Sequence, residues 1–278
     1  MKIKLAESYG FCYGVKRAIE IAEQHPGSKT YGPLIHNKDE INRLKENYNI
    51  GLAENLKDAE DTKTIVIRTH GIPKNELKTL KRNNHKMINA TCPYVTKPQQ
   101  IVESMSKEDY SVVIFGDKNH PEIKGVYSYG DTENTFIVNT PQDIEFEKLK
   151  SKVAVVAQTT RKPKDFIEIV EVLVGRIKEV RVFNTICNAT FENQDAAAEL
   201  AREADVMIVI GGKHSSNTKQ LHSICKEYCE DSYLIENEIE LKIEWFKDKN
   251  LCGISAGAST PDWIVQNVIK NIKIFKES

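Results

Sequence analysis

Three of the six cysteines stand in the same sequence context, and this recurrence is the strongest chemical signal in the chain. Cys12, Cys92 and Cys187 each directly precede a segment with a helical pattern. The positive end of a helix dipole favours an anionic sulfur, and the thiolate is the form that binds metal. Three thiolates indicate an iron–sulfur cluster or a zinc site, and a 4Fe–4S cluster held by three cysteines keeps one iron open for substrate. Three buried small hydrophobic residues would explain each cysteine singly but not their common register.

Two polar loops follow each of these cysteines at similar spacing. The first loop motif begins 24, 28 and 28 residues after the cysteine, and the second begins 34, 39 and 44 residues later. The motifs begin at His36, His120 and Ser215 in the first loops and at His70, Thr159 and Ser259 in the second loops. Each third of the chain therefore supplies one thiol and two polar loops, which predicts an internal structural repeat.

The polar loops have the chemistry of a phosphate site. Imidazole donates hydrogen bonds to phosphate, and three histidines in matching loops favour this role over isolated packing histidines. A serine-rich motif precedes a predicted helix, whose N-terminus is suited to bind an anion. We expect Thr260 to cap the last helix and its neighbour Ser259 to face the ligand, although capping is the commoner role for any one hydroxyl. The predicted binding residues are His36, His70, His120, Ser215, Ser216, Asn217 and Ser259.

One acidic residue occupies a position in the same register. Glu122 follows His120 in a loop, and a carboxyl group beside a cluster and a phosphate could act as a general acid. Thr159, in the second loop of the same third, could bind the substrate and relay a proton with it. The chain has 40 acidic residues, most of which must be surface charges, so it is the register that distinguishes Glu122.

The elements that must position these residues alternate between strands and helices. Apolar runs such as 64–67, 111–115, 153–156 and 206–210 are typical of strands buried on both faces of a parallel sheet. This order predicts an α/β fold. We expect three similar small modules, residues 1–91, 92–186 and 187–278, around a pseudo-threefold axis. Ligands of such sheets bind beyond the carboxyl ends of the strands, so the three thiols would meet in a central cavity.

Composition argues against several classes of partner and location. The chain carries 39 basic and 40 acidic residues, a balance that argues against nucleic acid and anionic membranes as partners. No run approaches the roughly 18 apolar residues of a membrane span, and no secretory signal is apparent. We therefore expect a cytoplasmic protein with reduced thiols. The remaining cysteines, Cys225, Cys229 and Cys252, lie outside the register. Cys225 and Cys229 share a helix face and could bind metal, but we expect them to be core or half-exposed residues of the last module.

The motifs together resemble a known enzyme family. The matching segments are Gly-Phe-Cys-Tyr-Gly-Val-Lys-Arg-Ala, Ala-Thr-Cys-Pro-Tyr-Val-Thr-Lys, His-Pro-Glu-Ile-Lys-Gly, Ile-Cys-Asn-Ala-Thr, Ser-Ser-Asn and Ala-Gly-Ala-Ser-Thr-Pro-Asp-Trp. They run from Gly10 to Gln266 in the order of the 4-hydroxy-3-methylbut-2-enyl diphosphate reductases, the IspH/LytB family. The loop Gly116–His120 departs from this family, because many members carry a further histidine near its start.

The resemblance implies a reductase with one 4Fe–4S cluster on Cys12, Cys92 and Cys187. It implies the last step of the non-mevalonate isoprenoid pathway, in which an allylic diphosphate loses its hydroxyl group and becomes isopentenyl and dimethylallyl diphosphate. By the same resemblance, Glu122 delivers a proton with the help of Thr159 and His120, and the other predicted loop residues hold the diphosphate. Reduced ferredoxin or flavodoxin would supply the electrons.

Two other functions fit parts of the pattern. A zinc- or iron-dependent phosphate-ester hydrolase would use the histidines as metal ligands and Glu122 as a base, and it would need no reductant. A non-catalytic iron–sulfur sensor would hold a cluster without turning over a substrate. Six polar loops directed at one cavity argue against the sensor, whose cluster needs no substrate pocket.

Overall fold

The protein is an alternating α/β structure, as the sequence predicts. The computed structural model describes residues 1–277, and across this range the strands form three four-stranded sheets in which every pair is parallel. The four apolar runs of the sequence all lie in strands, and most of their side chains are buried. The predicted fold class is confirmed.

Twelve strands and nine helices are assigned within the described residues. The strands are β1 Lys2–Leu5, β2 Lys29–Tyr31, β3 Gly51–Ala53, β4 Thr64–Ile67, β5 Lys86–Asn89, β6 Ser111–Phe115, β7 Thr135–Val138, β8 Lys152–Ala157, β9 Glu179–Phe183, β10 Val206–Ile210, β11 Ser232–Ile235 and β12 Leu251–Ala256. The helices are α1 Tyr13–Glu23, α2 Lys38–Tyr48, α3 Lys74–Arg82, α4 Pro93–Lys107, α5 Pro121–Tyr127, α6 Pro163–Val174, α7 Asn188–Glu203, α8 Ser216–Tyr228 and α9 Asp262–Glu277. Among these helices, none is both long enough and apolar enough to cross a lipid bilayer.

The sheets repeat one topology. Their strand orders are β3-β2-β4-β5, β7-β6-β8-β9 and β11-β10-β12-β1. The second and third places in these orders are taken by β2 and β4, by β6 and β8, and by β10 and β12. The N-terminal strand β1 supplies the fourth place of the last sheet, where Ile3 pairs with Cys252. Three similar α/β modules are thus consistent with the sheets, although β1 belongs to the sheet formed by the last third of the chain.

The chain separates into two compact units. The first unit comprises residues 1–16, residues 35–43 and the C-terminal part from Asn188 onward, and the second comprises residues 17–34 and 44–187. The first unit contains the β11-β10-β12-β1 sheet, and the second contains the other two sheets. The predicted module boundaries after residues 91 and 186 remain a prediction.

Each sheet is held by an apolar core. In the first unit, Ile208 and Ile254 pack with Val268 on one face, while Met207 and Leu221 pack on the other. In the second unit, residues of β6 and β8 pack with Val102 of α4, and residues of β2 and β4 pack with Leu80 of α3. Because the strands are buried on both faces, each sheet holds the loops at the carboxyl ends of its own strands in fixed positions.

Candidate active site

The three register cysteines share one backbone interaction. In the second unit, the Cys92 N–H donates to the carbonyl of Thr69 (3.0 Å), and the Cys187 N–H donates to the carbonyl of Thr159 (2.9 Å). In the first unit, the Cys12 N–H donates to the carbonyl of Ala258 (3.2 Å). Each acceptor lies two positions after the end of a strand, β4, β8 or β12. Each cysteine is thus tied to a loop at the carboxyl end of a parallel strand.

The three hydrogen bonds identify the equivalent residues of the second loops. These are not the residues that the sequence spacing matches with one another. Thr69, Thr159 and Ala258 occupy equivalent places, so Thr159 corresponds to Thr69 and not to His70. The first loops agree with the spacing, because His36, His120 and Ser215 each lie five positions after a strand end. The threefold repeat found in the sequence is therefore present in the loops that carry the predicted site.

The cysteines fall into two chemical groups. Cys12, Cys92 and Cys187 are half-buried, and each directly precedes a helix, as the sequence predicts. Burial raises the pKa of the Cys12 thiol, while the N–H groups of Val15 and Gly14 in the first turn of α1 act in the opposite direction. These N–H groups would stabilise a thiolate.

The other three cysteines are buried in the hydrophobic core of the first unit. Cys225 and Cys252 are fully buried, and burial raises the pKa of both thiols to about 12. Cys229 is also buried, and burial raises its pKa as well. Their burial among apolar side chains disfavours the thiolate, the form that binds metal. The structure thus places Cys225, Cys229 and Cys252 in the core, as expected from their positions outside the register.

Glu122 is a buried carboxyl group in the second unit. It is 1% exposed, and its two oxygens accept hydrogen bonds from Thr159, Oε1 from the backbone N–H (2.8 Å) and Oε2 from Oγ1 (2.7 Å). Burial raises the pKa of Glu122, and the two bonds from Thr159 lower it, with burial the larger effect. A carboxyl group with a raised pKa keeps its proton closer to neutral pH and can act as an acid.

Replacing Glu122 with glutamine is expected to stabilise the protein in a pH-dependent way. Because the pKa is raised in the folded state, the folded protein holds a proton that the unfolded chain has lost, and the free energy of unfolding falls as pH rises through this range. Glutamine can keep both hydrogen bonds with Thr159 and does not titrate, so the free energy of unfolding of the variant does not fall in this way. The advantage of Glu122→Gln over the native protein in the free energy of unfolding should therefore be larger at about pH 8 than at about pH 5, as measured by urea unfolding. The exposed Glu145→Gln should show no such growth; an equal advantage of Glu122→Gln at both pH values would contradict the raised pKa.

Two histidines of the second unit lie beside each other. The rings of His70 and His120 are 5.6 Å apart between centroids and nearly perpendicular. His120 caps α5, because its Nδ1 accepts the N–H of Glu122 (3.2 Å). The second unit thus brings together His70 and His120, and it joins Glu122 to Thr159.

The first unit holds the remaining predicted binding residues. Asn37 caps α2 through a bond from the Glu40 N–H to its Oδ1 (2.9 Å), which fixes the loop that carries His36. Gly212 is required beside this loop, since a Cβ there would lie 2.2 Å from the His36 carbonyl oxygen. Ser215 caps α8 by accepting the Thr218 N–H (3.4 Å).

Asn217 is the clearest sign of a ligand site in the first unit. It is 5% exposed, and among the described residues neither its Oδ1 nor its Nδ2 has a hydrogen-bond partner. A buried amide without partners is costly, so such a group indicates a ligand or water that supplies the missing bonds. Beside this amide, Gly257 is required because a Cβ there would lie 2.3 Å from Thr218 Oγ1.

Ser259 is half-buried, whereas its neighbour Thr260 does not act as predicted. Helix α9 begins at Asp262, one residue later than a Thr260 cap requires, and the Thr260 hydroxyl donates instead to the Ile210 carbonyl (3.0 Å). The bond ties the loop after β12 to the end of β10, so Thr260 joins two neighbouring strands of the sheet. The predicted capping role of Thr260 is wrong.

One buried ion pair of the first unit was not predicted. The Glu40 carboxylate, 1% exposed, accepts bonds from Arg43 (Nη2 to Oε1, 2.7 Å) and from the indole of Trp263 (Nε1 to Oε2, 3.1 Å). It therefore connects the start of α2, next to the His36 loop, with the start of α9, next to Ser259. In sequence the Asn37-to-Glu40 spacing resembles a capping box, but nothing marks Trp263, 223 residues away, as the partner.

Trp263→Phe is expected to lower the free energy of unfolding by about 1–3 kcal/mol, the usual worth of a hydrogen bond to a charged group. Phenylalanine keeps one aromatic ring at this position and removes the Nε1 donor to Glu40 together with the second ring of the indole. The matched control is Trp245→Phe, which keeps an aromatic ring stacked on Tyr233. Urea unfolding followed by circular dichroism measures both. A smaller loss for Trp263→Phe than for the control would contradict a structural role for this bond.

Comparison with known proteins agrees with these features. A family model described as LytB protein matches residues 3–273. The chain belongs to the LytB family. Relatives named 4-hydroxy-3-methylbut-2-enyl diphosphate reductase include one from Sulfurovum sp. (strain NBC37-1), 71% identical over 99% of this chain and the whole relative, and one from a Nitratiruptor species, 63% identical over 98% of both. The predicted family is confirmed, and with it the prediction of an oxidoreductase.

Solved structures of LytB-family enzymes share the fold. The reductase from Plasmodium falciparum is similar with a TM-score of 0.90 and 28% identity, covering 96% of this chain and 86% of the other. A second structure, named as (E)-4-hydroxy-3-methyl-but-2-enyl diphosphate reductase, the terminal enzyme of the non-mevalonate pathway, has a TM-score of 0.72 and 42% identity over 99% of this chain and all of the other.

Proposed function

We propose that this LytB-family protein reduces 4-hydroxy-3-methylbut-2-enyl diphosphate to isopentenyl diphosphate and dimethylallyl diphosphate, as the last step of the non-mevalonate pathway. The reaction removes the allylic hydroxyl group as water and consumes two electrons and two protons. The observation that carries the proposal is the 71% identity, over the whole length, to a relative named as this reductase. The thiols, the buried acid and the polar loops provide the groups that such a reaction requires.

Cys12, Cys92 and Cys187 would hold one 4Fe–4S cluster. The donor set fits, because these three thiols are half-buried and precede helices, whereas the other three are buried in the core. When bound, the cluster supplies electrons one at a time and offers one iron without a protein ligand as a Lewis acid. The bonds from the three cysteine N–H groups to the loops of Thr69, Thr159 and Ala258 fix the backbones that carry these thiols.

The polar loops would bind the diphosphate. Ser215 and Asn217 lie at the N-terminus of α8, where the helix dipole favours an anion, and the unpaired Asn217 amide can donate to a phosphate oxygen. His36, His70 and His120 supply ring N–H donors, and Ser216 and Ser259 supply hydroxyls. The chain has almost no net charge, so helix ends, amides and imidazoles would do the work that a basic patch does elsewhere.

Glu122 would deliver the proton that turns the leaving hydroxyl into water. Its Oε1 accepts the Thr159 backbone N–H, which cannot turn away, so the acidic proton belongs on Oε2. That oxygen contacts Thr159 Oγ1 at 2.7 Å, and the hydroxyl can accept the proton on one side and donate on the other. Thr159 would thereby act as a relay between Glu122 and the substrate.

The reaction also requires an electron donor, a reducing compartment and a protein that encloses the cluster. The electrons would come from a reduced ferredoxin or flavodoxin, since the chain must be reduced again after each turnover. The cytoplasm is the proposed location, because free thiols persist in a reducing compartment. The three modules would close around the cluster, with boundaries near residues 91 and 186.

The names of the relatives favour a reductase over the two other functions considered. A phosphate-ester hydrolase would release phosphate without a reductant, and an iron–sulfur sensor would leave the diphosphate unchanged. Burial raises the pKa of Glu122, which favours its role as an acid over the role of an ionised base that the hydrolase would need.

Anaerobic turnover tests the proposal. Protein prepared without oxygen and supplied with a chemical reductant should convert 4-hydroxy-3-methylbut-2-enyl diphosphate to the two products, with two electrons consumed for each product molecule, as followed by chromatography and reductant absorbance. Omission of the reductant should stop the reaction. Release of phosphate without reductant would support the hydrolase, and recovery of unchanged substrate would support the sensor.

A further inference from the structure

The segment Ile35–Arg43 (the His36 segment) belongs to a different unit from the chain on either side of it. It lies with the first unit, whereas the residues before and after it belong to the second. Leu34 directly precedes it, and the Leu34 carbonyl accepts both the N–H (3.3 Å) and the hydroxyl (2.8 Å) of Thr69 in the second unit. The position of His36 in the first unit therefore has to be fixed by contacts that the His36 segment makes there.

The other two proposed binding loops of the first unit are continuous with its sheet. Ser259 lies in the loop after β12, and Ser215 lies in the loop after β10. In the loop after β12, the Gly257 N–H (2.8 Å) and the Thr260 hydroxyl (3.0 Å) both donate to the Ile210 carbonyl. Within the described residues, the His36 segment contributes no strand to this sheet. Its attachment to the first unit depends on side chains of α2 and on packing against a loop.

The first anchor of the His36 segment is the buried carboxylate of Glu40. Arg43 donates from Nε to both oxygens (3.0 Å each), and the indole of Trp263 donates to Oε2 (3.1 Å). An indole N–H can only donate and a carboxylate can only accept, so the direction of the bond between Trp263 and Glu40 is fixed. Hydrogen bonds to an ionised group are stronger than neutral ones. This bond therefore joins α2 firmly to the start of α9.

The second anchor is the hydrogen bond between Asp39 and Asn237. Asn237 donates from Nδ2 to Asp39 Oδ2 (3.2 Å), and its Oδ1 accepts the N–H of Ile239 (3.2 Å). A backbone N–H can only donate, so the Ile239 amide fixes which end of the Asn237 side chain faces α2. The backbone of the segment also packs closely, because a Cβ at Gly212 would lie 2.2 Å from the His36 carbonyl oxygen.

We propose that Asp39 and Glu40 are positioning residues that hold the His36 segment on the first unit and thereby place His36 for a phosphate group. The inference rests on the proposed function, in which His36 binds the diphosphate. Both carboxylates bond to donors of the first unit, so they act through the backbone of α2 and not on the anion itself. A loosened segment would have to be ordered again when the ligand binds, which costs affinity.

Trp263→Phe tests the first anchor in a double-mutant cycle with His36→Asn. Titration calorimetry with inorganic diphosphate measures the affinity of the anaerobically prepared full-length protein. Trp263→Phe should weaken binding by about tenfold in the native background and have no effect in the His36→Asn background, where the imidazole that it positions is absent. Trp245→Phe, which keeps a ring stacked on Tyr233, should leave the affinity unchanged. Equal weakening in both backgrounds, or none in the native background, would overturn the inference.

Asn237→Asp tests the second anchor. It keeps the oxygen that accepts the Ile239 N–H, but it replaces the donor to Asp39 with a second carboxylate, and the two like charges repel each other. The affinity for diphosphate should fall by about tenfold. Addition of Asp39→Asn places one donor opposite one acceptor again and should recover most of the loss. A double variant that binds as weakly as Asn237→Asp alone would overturn the inference.

Hydrogen–deuterium exchange measures the anchors without a ligand. The amides of Glu40 and Ile41, which donate to Asn37, should exchange faster in Trp263→Phe than in the native protein, because the His36 segment opens more often. Unchanged exchange would overturn the inference. In turnover, Trp263→Phe should raise KM and leave kcat and iron content unchanged, since the anchor affects binding alone. If native protein and His36→Asn bound diphosphate equally, the proposed role of His36 would be contradicted, and the exchange rates would still decide whether the anchor exists.

Discussion

Cys92→Ala is expected to abolish cluster assembly and, with it, all reductase turnover. One of the three proposed thiolate ligands is then missing, and alanine offers no donor to replace it. Iron content and visible absorbance of anaerobically purified protein should fall to background. Cys12→Ala and Cys187→Ala should behave in the same way, because the three residues occupy equivalent positions before α4, α1 and α7.

Cys225→Ala is the matched control for this loss. Cys225 is fully buried in the core within α8 and not at the start of a helix, and burial raises the pKa of its thiol to about 12. The variant should keep the iron content of the native protein, even where its stability is lowered by the small cavity. Full iron retention in any of the three register variants, or iron loss in the control, would refute the assigned ligand set.

Glu122→Gln is expected to reduce turnover by about 10²–10⁴-fold, the usual contribution of a positioned general acid. Glutamine keeps the shape of the side chain and can keep both contacts with Thr159, but it cannot release a proton. The cluster and the affinity for substrate should remain near those of the native protein. Anaerobic steady-state kinetics with a chemical reductant, together with iron analysis, measures these quantities.

Glu145→Gln provides the control for this substitution. Glu145 lies on the surface in an ion pair with Lys148, so its loss should leave turnover unchanged. If Glu122→Gln turned over at the rate of the native protein, the acid role of Glu122 would be excluded, and the proton would have to come from another group. A parallel loss of iron would instead assign Glu122 a role in holding the site together.

The sequence predicted the repeated parts of the structure best. Apolar runs identified β4, β6, β8 and β10, because strands buried on both faces leave an unbroken hydrophobic signal. The first polar loops were also placed correctly, since they lie at a constant distance from the strand ends. Each motif alone is a weak signal, but its recurrence in all three thirds of the chain made the prediction possible.

The features that the sequence did not reveal depend on contacts distant along the chain. Strand β1 pairs with β12 in the last sheet, and a short alternating segment carries no mark of its partner. Thr159 corresponds to Thr69 because of backbone bonds that loop length conceals. The Glu40–Trp263 bond joins two residues whose types and neighbours look ordinary, so only the folded chain identifies them as a pair.

Mössbauer spectroscopy of iron-57-enriched protein tests the central proposal most directly, because it resolves each iron of a cluster by its ligands. In a 4Fe–4S cluster with three cysteine ligands, one iron should change its spectrum when 4-hydroxy-3-methylbut-2-enyl diphosphate is added, while the other three should stay the same. Protein without iron, or a cluster whose irons are all unaffected by the substrate, would contradict it.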